Sequence, residues 1–405
     1  MICRELRKNQ YQDIDYEKLA AFLESSLNAS LSTDANSETT LTNGFRVVFN
    51  QKGYFDVVFN YPTAFVLDSN LAKRIEKIAI SSLFPYLTVF TNSGAELVDS
   101  DSGDIHTARA LRYHFKKGIF RRMIFNNWSD IQPVTYHGQQ CFQLQDTYYY
   151  PWQSGSKSIA ISGKSGTEKT ILGIIFLEYF RKVLNFHIND LFKHGLPSDA
   201  NQGGIVVIDP KLDFELYNWA KKNQVTYLTP AENDSNTAYL DRCNNHLKEC
   251  VDIMHARSRE LLHNPNTQFK PLIIYIDEAL ALVSMQSKKS IVTWESLLDQ
   301  LFLMGRATNI VVIISSQNFK IGDSGSGFIS SSARDQLNLK ILLSSHPSVS
   351  PSEGRFLFKD EDVNSVVLNQ DGNKFGIGII EGPQADDPQS RILPFNSPII
   401  QNFKE

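Results

Sequence analysis

Cysteine is scarce in this chain of 405 residues. There are four, Cys3, Cys141, Cys243 and Cys250, with no CxxC pair and no even ladder of spacings. No disulfide framework follows from that pattern, and reduced thiols are expected. Excess basic charge is also missing. The formal net charge is −4, which excludes a uniformly basic nucleic-acid binder and leaves only local patches for such contact. Long hydrophobic runs are absent as well. The longest, Ile78 to Phe90, is interrupted by Ser81, Ser82 and Pro85 and falls short of the ~20 residues of a membrane span. The opening MICRELRKNQ is charged with no apolar core behind it, so neither a signal peptide nor an anchor is read. A cytoplasmic location is expected, with any membrane attachment made through partners.

What is present is ordinary globular composition, 42 % apolar and 21 % charged residues, enough chain for one large domain or two ordinary ones. The front part reads as a small α+β domain. Residues 12–30 carry Tyr16, Leu19, Phe22 and Leu27 on or near one helical face. The polar stretch 31–43 reads as a loop. Two apolar runs, 45–49 and 55–59, flank Asn50-Gln-Lys-Gly53 as a hairpin. A helix over 68–84 and a strand over 87–90 follow. Residues 109–122 hold Arg109, Arg112, Lys116, Lys117, Arg121 and Arg122 without an acid, interleaved with Tyr113, Phe115 and Phe120. That composition suits a phosphate-backbone contact, a solvated amphipathic face, or docking onto an acidic neighbour. The sequence places a domain boundary near residue 135, separating an N-terminal domain 1–135 from a second domain 136–405.

From residue 158 strands and helices alternate. Strands are expected over 159–161, 205–208, 225–228, 272–276, 310–314 and 339–343, with helices over 171–180, 214–223, 239–262 and 292–306 between them. Continuous apolar strands between helices imply an α/β fold with a mostly parallel sheet covered on both faces. Ligands then sit at the carboxyl ends of the strands.

One such end is Ser158 to Tyr179, SIAISGKSGTEKTILGIIFLEY. Strand, glycine-containing loop, Lys-Thr and apolar helix are the context of a phosphate-binding loop. The backbone N–H groups of Gly163, Lys164, Ser165, Gly166, Thr167 and Glu168 can cradle phosphate, aided by the helix start. Lys169 supplies charge to the outer phosphates of ATP, and the Thr170 hydroxyl can ligate Mg²⁺. The pattern G-x-x-x-x-G-K-[ST] has one departure: Glu168 stands where the second glycine belongs. It adds a Cβ and a negative charge beside a polyanion. An altered phosphate loop and a plain strand-turn-helix remain the two readings of these residues alone.

About 110 residues further on, PLIIYIDEA delivers Asp277 and Glu278 to a strand end. Asp277 can hold the Mg²⁺ shell and Glu278 can polarise an attacking water; acids at a helix start would look the same. Gln317 ends the next apolar strand, which in ATPases of this layout lies between the phosphate-loop strand and the Asp-Glu strand. It is then a γ-phosphate sensor, or else a surface turn.

IVVIDPK (205–211), PLIIYIDEA (271–279), FLMGRATNIVVIISSQN (302–318) and ARDQLNLKILL (333–343) together resemble the FtsK/SpoIIIE DNA translocases, most closely the small forms of conjugative and mobile elements, over about residues 140–395. The resemblance implies a RecA-like P-loop motor core and ATP-driven movement along double-stranded DNA. It also implies a homo-hexameric ring and service to transfer or division machinery. Lys169, Thr170, Asp277, Glu278 and Gln317 then take the roles above. Arg306 or Arg334 could reach a neighbouring subunit's γ-phosphate, and Arg306 could equally be an internal structural arginine. The departures are Glu168, the lack of an N-terminal anchor, and the lack of a winged-helix module before Glu405, so sequence-specific reading of DNA is not expected. Lys288, Lys289 and Lys320 could line a channel or sit on solvated loops. Two rivals stay open: a non-enzymatic DNA-binding or ring-forming adaptor silenced by Glu168, and a secretion-type motor acting on protein.

Overall fold

The computed structural model describes residues 14–32, 44–60, 67–90, 95–105, 107–153, 157–184, 203–284, 288–319, 329–344, 351–358, 363, 366, 374–385 and 391–402. Two compact units emerge, one of the described residues up to Phe120 with Arg391–Leu393, the other from Arg121 onward.

The first unit contains helix α1 (Tyr16–Ser32), strands β1 (Phe45–Asn50) and β2 (Tyr54–Phe59), helix α2 (Ser69–Leu83), and strands β3 (Leu87–Val89), β4 (Glu96–Asp99) and β5 (Arg109–Lys117). The hairpin is present, with Asn50 opposite Tyr54. The sheet order is β1-β2-β5-β3, with β4 also on β5. Asp68 caps α2 by accepting from the Leu71 N–H, which satisfies one of the helix's orphan donors. The apolar faces of both helices close over the sheet, burying Leu23, Leu27, Ile75, Ala79 and Leu83 against Phe55, Val57, Leu111, Tyr113 and Phe115.

The basic segment therefore lies largely in β5, whose side chains alternate between faces. Tyr113, Phe115 and Phe120 are buried, so these aromatics are core and not a stacking platform for bases. Arg112 is held bidentately by Asp56, Nε–Oδ1 2.8 Å and Nη2–Oδ2 2.9 Å, with its guanidinium 3.9 Å above the Tyr54 ring.

The second unit begins with β6 (Ile124–Phe125), β7 (Val134–Tyr136), β8 (Gln139–Gln145) and β9 (Tyr148–Tyr150). It continues through β10 (Ser158–Gly163), α3 (Lys169–Leu184), β11 (Gly204–Ile208), α4 (Phe214–Lys222), β12 (Thr226–Leu228), α5 (Asn236–His263) and β13 (Leu272–Ile276). Next come α6 (Ala279–Ser284), α7 (Lys288–Met304), β14 (Ile310–Ser316), α8 (Ser331–Arg334), β15 (Leu339–Ser344), α9 (Pro351–Phe358), β16 (Ile377–Gly382), β17 (Arg391–Asn396, of which Arg391–Leu393 group with the first unit) and β18 (Ile399–Ile400). The main sheet has the order β12-β11-β13-β14-β10-β15-β16-β17. Strands β12 to β15 run parallel, and β16 is antiparallel to β15. Strands β10, β13 and β14 are buried along their whole length, the signature of a sheet covered on both faces.

Helix α3 is apolar on nearly every side because it is buried on nearly every side. Its buried Glu178 is satisfied by Arg181 (Nε 2.8 Å) and the Trp219 indole N–H (3.2 Å). Ser235 caps α5, accepting from the Ala238 N–H at 3.1 Å, so that helix starts three residues before the expected Tyr239. Strands β16 and β17 were not anticipated by the hydrophobic pattern. No helix among the described residues is long and apolar enough to cross a membrane. Lys320 lies outside the described residues, and of Lys288 and Lys289 only the helical backbone is described.

Candidate functional site

The strand order fixes what can meet. Strand β14 lies between β10 and β13, so the phosphate-loop strand, the Gln317 strand and the Asp-Glu strand end side by side. Register aligns Ile208 with Ile276 and Ile276 with Ile314. Asp209, Asp277 and Ser315 therefore form one row where the carboxyl rim begins.

The loop from Gly163 to Lys169 folds over its own Lys164 carbonyl, which accepts from Thr167 Oγ1 at 2.8 Å and from Lys169 Nζ at 3.1 Å. Gly163 is required here: φ is +155°, and a Cβ would stand 2.6 Å from both the Leu343 carbonyl oxygen and Thr167 Oγ1. Lys169 is buried. Burial pushes its ammonium down from the ordinary lysine range, while the charges of Glu278 and Asp277 pull it back up. Thr170 is half-buried in the first turn of α3.

Asp277 is buried, and Tyr275 donates its hydroxyl to Oδ1 at 3.0 Å. Burial, and then the charge of Asp209, push Asp277 up to about 6. Carboxylate and hydroxyl oxygens such as those of Asp277 and Thr170 are the hard donors that Mg²⁺ takes. Tyr275 reaches this position because α3 has Gly173 where the ring passes; a Cβ there would collide with the hydroxyl and stand 2.5 Å from Cζ.

Glu278 is buried, with φ +44°. Its Oε1 accepts from the Gln317 backbone N–H at 3.0 Å, and its Oε2 meets Lys211 Nζ at 2.8 Å. Gln317 thus touches Glu278 through its main chain. Lys211 is aimed by Asp209, whose carboxylate accepts from the N–H groups of Lys211 (2.8 Å) and Asp213 (2.7 Å) and from the Tyr227 hydroxyl. The IVVIDPK motif contains Asp209 and Lys211, but no local pattern in it gives the lysine a role. The available signal was a cation two residues beyond an acid at the same rim.

Glu168 keeps the left-handed backbone its glycine counterpart would use, φ +71°. Its carboxylate is ion-paired with Arg122. In the sequence Arg122 stands out only as part of the basic segment; an acid inside an anion-binding loop is the signal that a cation is needed nearby.

Arg306 and Arg334 are not brought to this rim. Each precedes a strand, β14 or β15, that runs parallel to β10, so each sits at the amino edge. Arg306 is exposed and helps depress Lys157 at the start of β10, so it is not an internal structural arginine. That position belongs to the fully buried Arg257, which donates to the Thr308 carbonyl at 2.7 Å. Arg334 pairs with Asp335 at 3.2 Å.

No family model matches the chain, and no curated protein matches it. Among solved structures it is similar to the pCW3 conjugation coupling protein TcpA in a monomer form with ATPγS, at TM-score 0.48 and 13 % identity over 96 % of this chain and 97 % of that one. It is also similar to ATPases 2 and 3 of EssC from Geobacillus thermodenitrificans (TM-score 0.41, 16 % identity, 68 % of this chain, 47 % of that one). A third likeness is to the cytoplasmic domain of the Thermomonospora curvata type VII secretion ATPase EccC (0.37, 14 %, 62 % and 25 %). With the Gln317 strand between the Gly163 strand and the Asp277-Glu278 strand, and an antiparallel extension beyond β15, the second unit has a mixed α/β fold built on a mostly parallel sheet, as the sequence predicts.

Proposed function

We propose that this chain is an ATP hydrolase that moves or gates double-stranded DNA in the manner of the FtsK/SpoIIIE motors, serving transfer or maintenance of a mobile element from the cytoplasm. The observation that carries the ATPase reading is the convergence at one rim: the strand order sets the ends of β10, β14 and β13 side by side, and Glu278 accepts from the Gln317 N–H. The backbone from Gly163 to Glu168 wraps the phosphates, and Lys169 exchanges its bond to the Lys164 carbonyl for the outer phosphates. Thr170 and Asp277 hold Mg²⁺, which when bound screens the phosphate charge. Glu278 is the base that polarises water once freed from Lys211, and Gln317 orients that water. Arg306 or Arg334, at the opposite edge of its own sheet, serves a neighbouring copy's site in a homo-hexameric ring. The DNA and mobile-element part of the reading rests on the four motifs 205–211, 271–279, 302–318 and 333–343.

The test is ATP turnover with Mg²⁺, with and without linear duplex DNA. Turnover stimulated by DNA, with DNA affinity falling steeply as salt rises, is expected. Hydrolysis indifferent to DNA, with no DNA binding, would turn the reading to a motor acting on protein. DNA binding without hydrolysis would turn it to an adaptor. Glu278→Gln is expected to bind nucleotide and stop turnover; unchanged hydrolysis would remove Glu278 from the base role.

A further inference from the structure

The acid in the phosphate loop has a dedicated partner, and the inference drawn from it rests on the nucleotide-binding reading above. Glu168 gives the loop its glycine-like turn through a left-handed φ of +71°, while its side chain leads to Arg122. The Arg122 side chain is 9 % exposed and that of Glu168 25 %. The guanidinium is anchored independently of the acid: Nε donates to the Ser397 carbonyl and Nη1 to the Phe375 carbonyl, the latter at 3.3 Å. Space for the pair comes from Gly376, at φ +67°. A Cβ there would collide with Glu168 Oε2 and stand 2.8 Å from Arg122 Nη2. The Ser397 N–H closes this arrangement on the Gly376 carbonyl at 2.7 Å. Two carbonyls thus hold the arginine where the acid arrives, and a glycine leaves room for both.

We propose that Arg122 is a positioning residue of the nucleotide site. It holds the Glu168 carboxylate out of the path of the phosphates and cancels its charge, so that a loop carrying an acid in place of glycine still binds a nucleoside triphosphate. Removing the arginine alone leaves an unpaired carboxylate against a polyanion. Removing both leaves an ordinary glycine loop.

The experiment is titration of ATPγS with Mg²⁺ into the wild type, Arg122→Ala, Glu168→Gly, the double variant and Lys169→Ala, with circular dichroism on each. Arg122→Ala is expected to weaken binding at least tenfold. Glu168→Gly is expected to bind at least as tightly as the wild type, and the double variant to match Glu168→Gly within threefold. An arginine needed only to tie Ser397 and Phe375 would be missed equally with either residue at 168, so the rescue separates positioning from scaffolding. If Arg122→Ala does not fold, Arg122→Gln keeps donors for the carbonyls and is expected to give the same loss and the same rescue. Binding unchanged in the arginine variants, or a loss that Glu168→Gly fails to restore, overturns the inference. So does a wild type that binds nothing while Glu168→Gly binds. Parity in the arginine variants beside a loss in Lys169→Ala overturns this inference alone. Failure of both wild type and Glu168→Gly to bind removes the nucleotide site and this inference with it.

Discussion

Gly173→Ala probes the packing that ties the phosphate-loop helix to the acidic strand. The added methyl would stand 2.5 Å from Tyr275 Cζ and closer still to its hydroxyl, against ordinary contacts of about 3.5 Å or more. Tyr275 is fully buried and cannot swing into solvent, so ring or helix must shift by roughly 1 Å. Overpacking of this kind costs ~1–3 kcal/mol. The better helix propensity of alanine returns ~1 kcal/mol, leaving a net loss of ~0–2 kcal/mol. The functional effect should exceed the stability effect. Moving Tyr275 takes its hydroxyl off Asp277 Oδ1, where it sits at 3.0 Å, and a hydrogen bond to a charged acceptor contributes ~1.5–3 kcal/mol. Urea unfolding and calorimetric titration of ATPγS at several Mg²⁺ concentrations measure the two separately. The variant should require severalfold more Mg²⁺, and Tyr275→Val in the same background should recover stability but not Mg²⁺ dependence. A Gly173→Ala protein as stable as the wild type, with unchanged Mg²⁺ dependence, would refute the packing argument.

Two further outcomes follow. Lys211→Ala removes the cation paired with the buried Glu278 carboxylate and leaves it the Gln317 N–H as hydrogen-bond donor among the described residues; because Lys211 is itself nearly half exposed and water can replace it, a loss of ~1–2 kcal/mol is expected, and a variant as stable as the wild type in urea would contradict the pairing. Burial, with the charges of Arg306 and Arg257, pushes Lys157 down to about 8. Its ammonium is thus penalised in the folded state below that pH, and the penalty fades as pH rises toward the ordinary lysine range. Lys157→Met should accordingly gain ~1–2 kcal/mol relative to the wild type at pH ~7, after allowance for partial exposure, and lose that advantage by pH ~10; a pH-independent difference would contradict the placement.

The strands that build the site were legible because their residues are apolar without interruption, as in IAI, IVVI, LIIYI and IVVII, and only a doubly covered sheet buries such runs. Their order was legible only in part. The place of the Gln317 strand between the other two came from the layout of such ATPases, not from local pattern. Strand β17 contains Pro394, which argues against a central strand; it lies at the end of the sheet order, where a missing N–H is tolerated. The basic segment was ambiguous in sequence because six cations among aromatics look the same whether the aromatics face nucleic acid or a core. Alternation in β5 resolves it, sending Tyr113 and Phe115 inward. The polar contacts that shape the site were illegible for another reason: Arg122 with Glu168 and Lys211 with Glu278 are 46 and 67 residues apart. No local periodicity encodes such pairs.

The most direct measurement is a structure of the protein with ATPγS and Mg²⁺. The account predicts a triphosphate lying along Lys164–Thr170, with Lys169 moved from the Lys164 carbonyl onto the outer phosphates, Asp277 and Thr170 beside the metal, and Glu168 still on Arg122. Phosphates bound elsewhere, or none at saturating nucleotide, would contradict it.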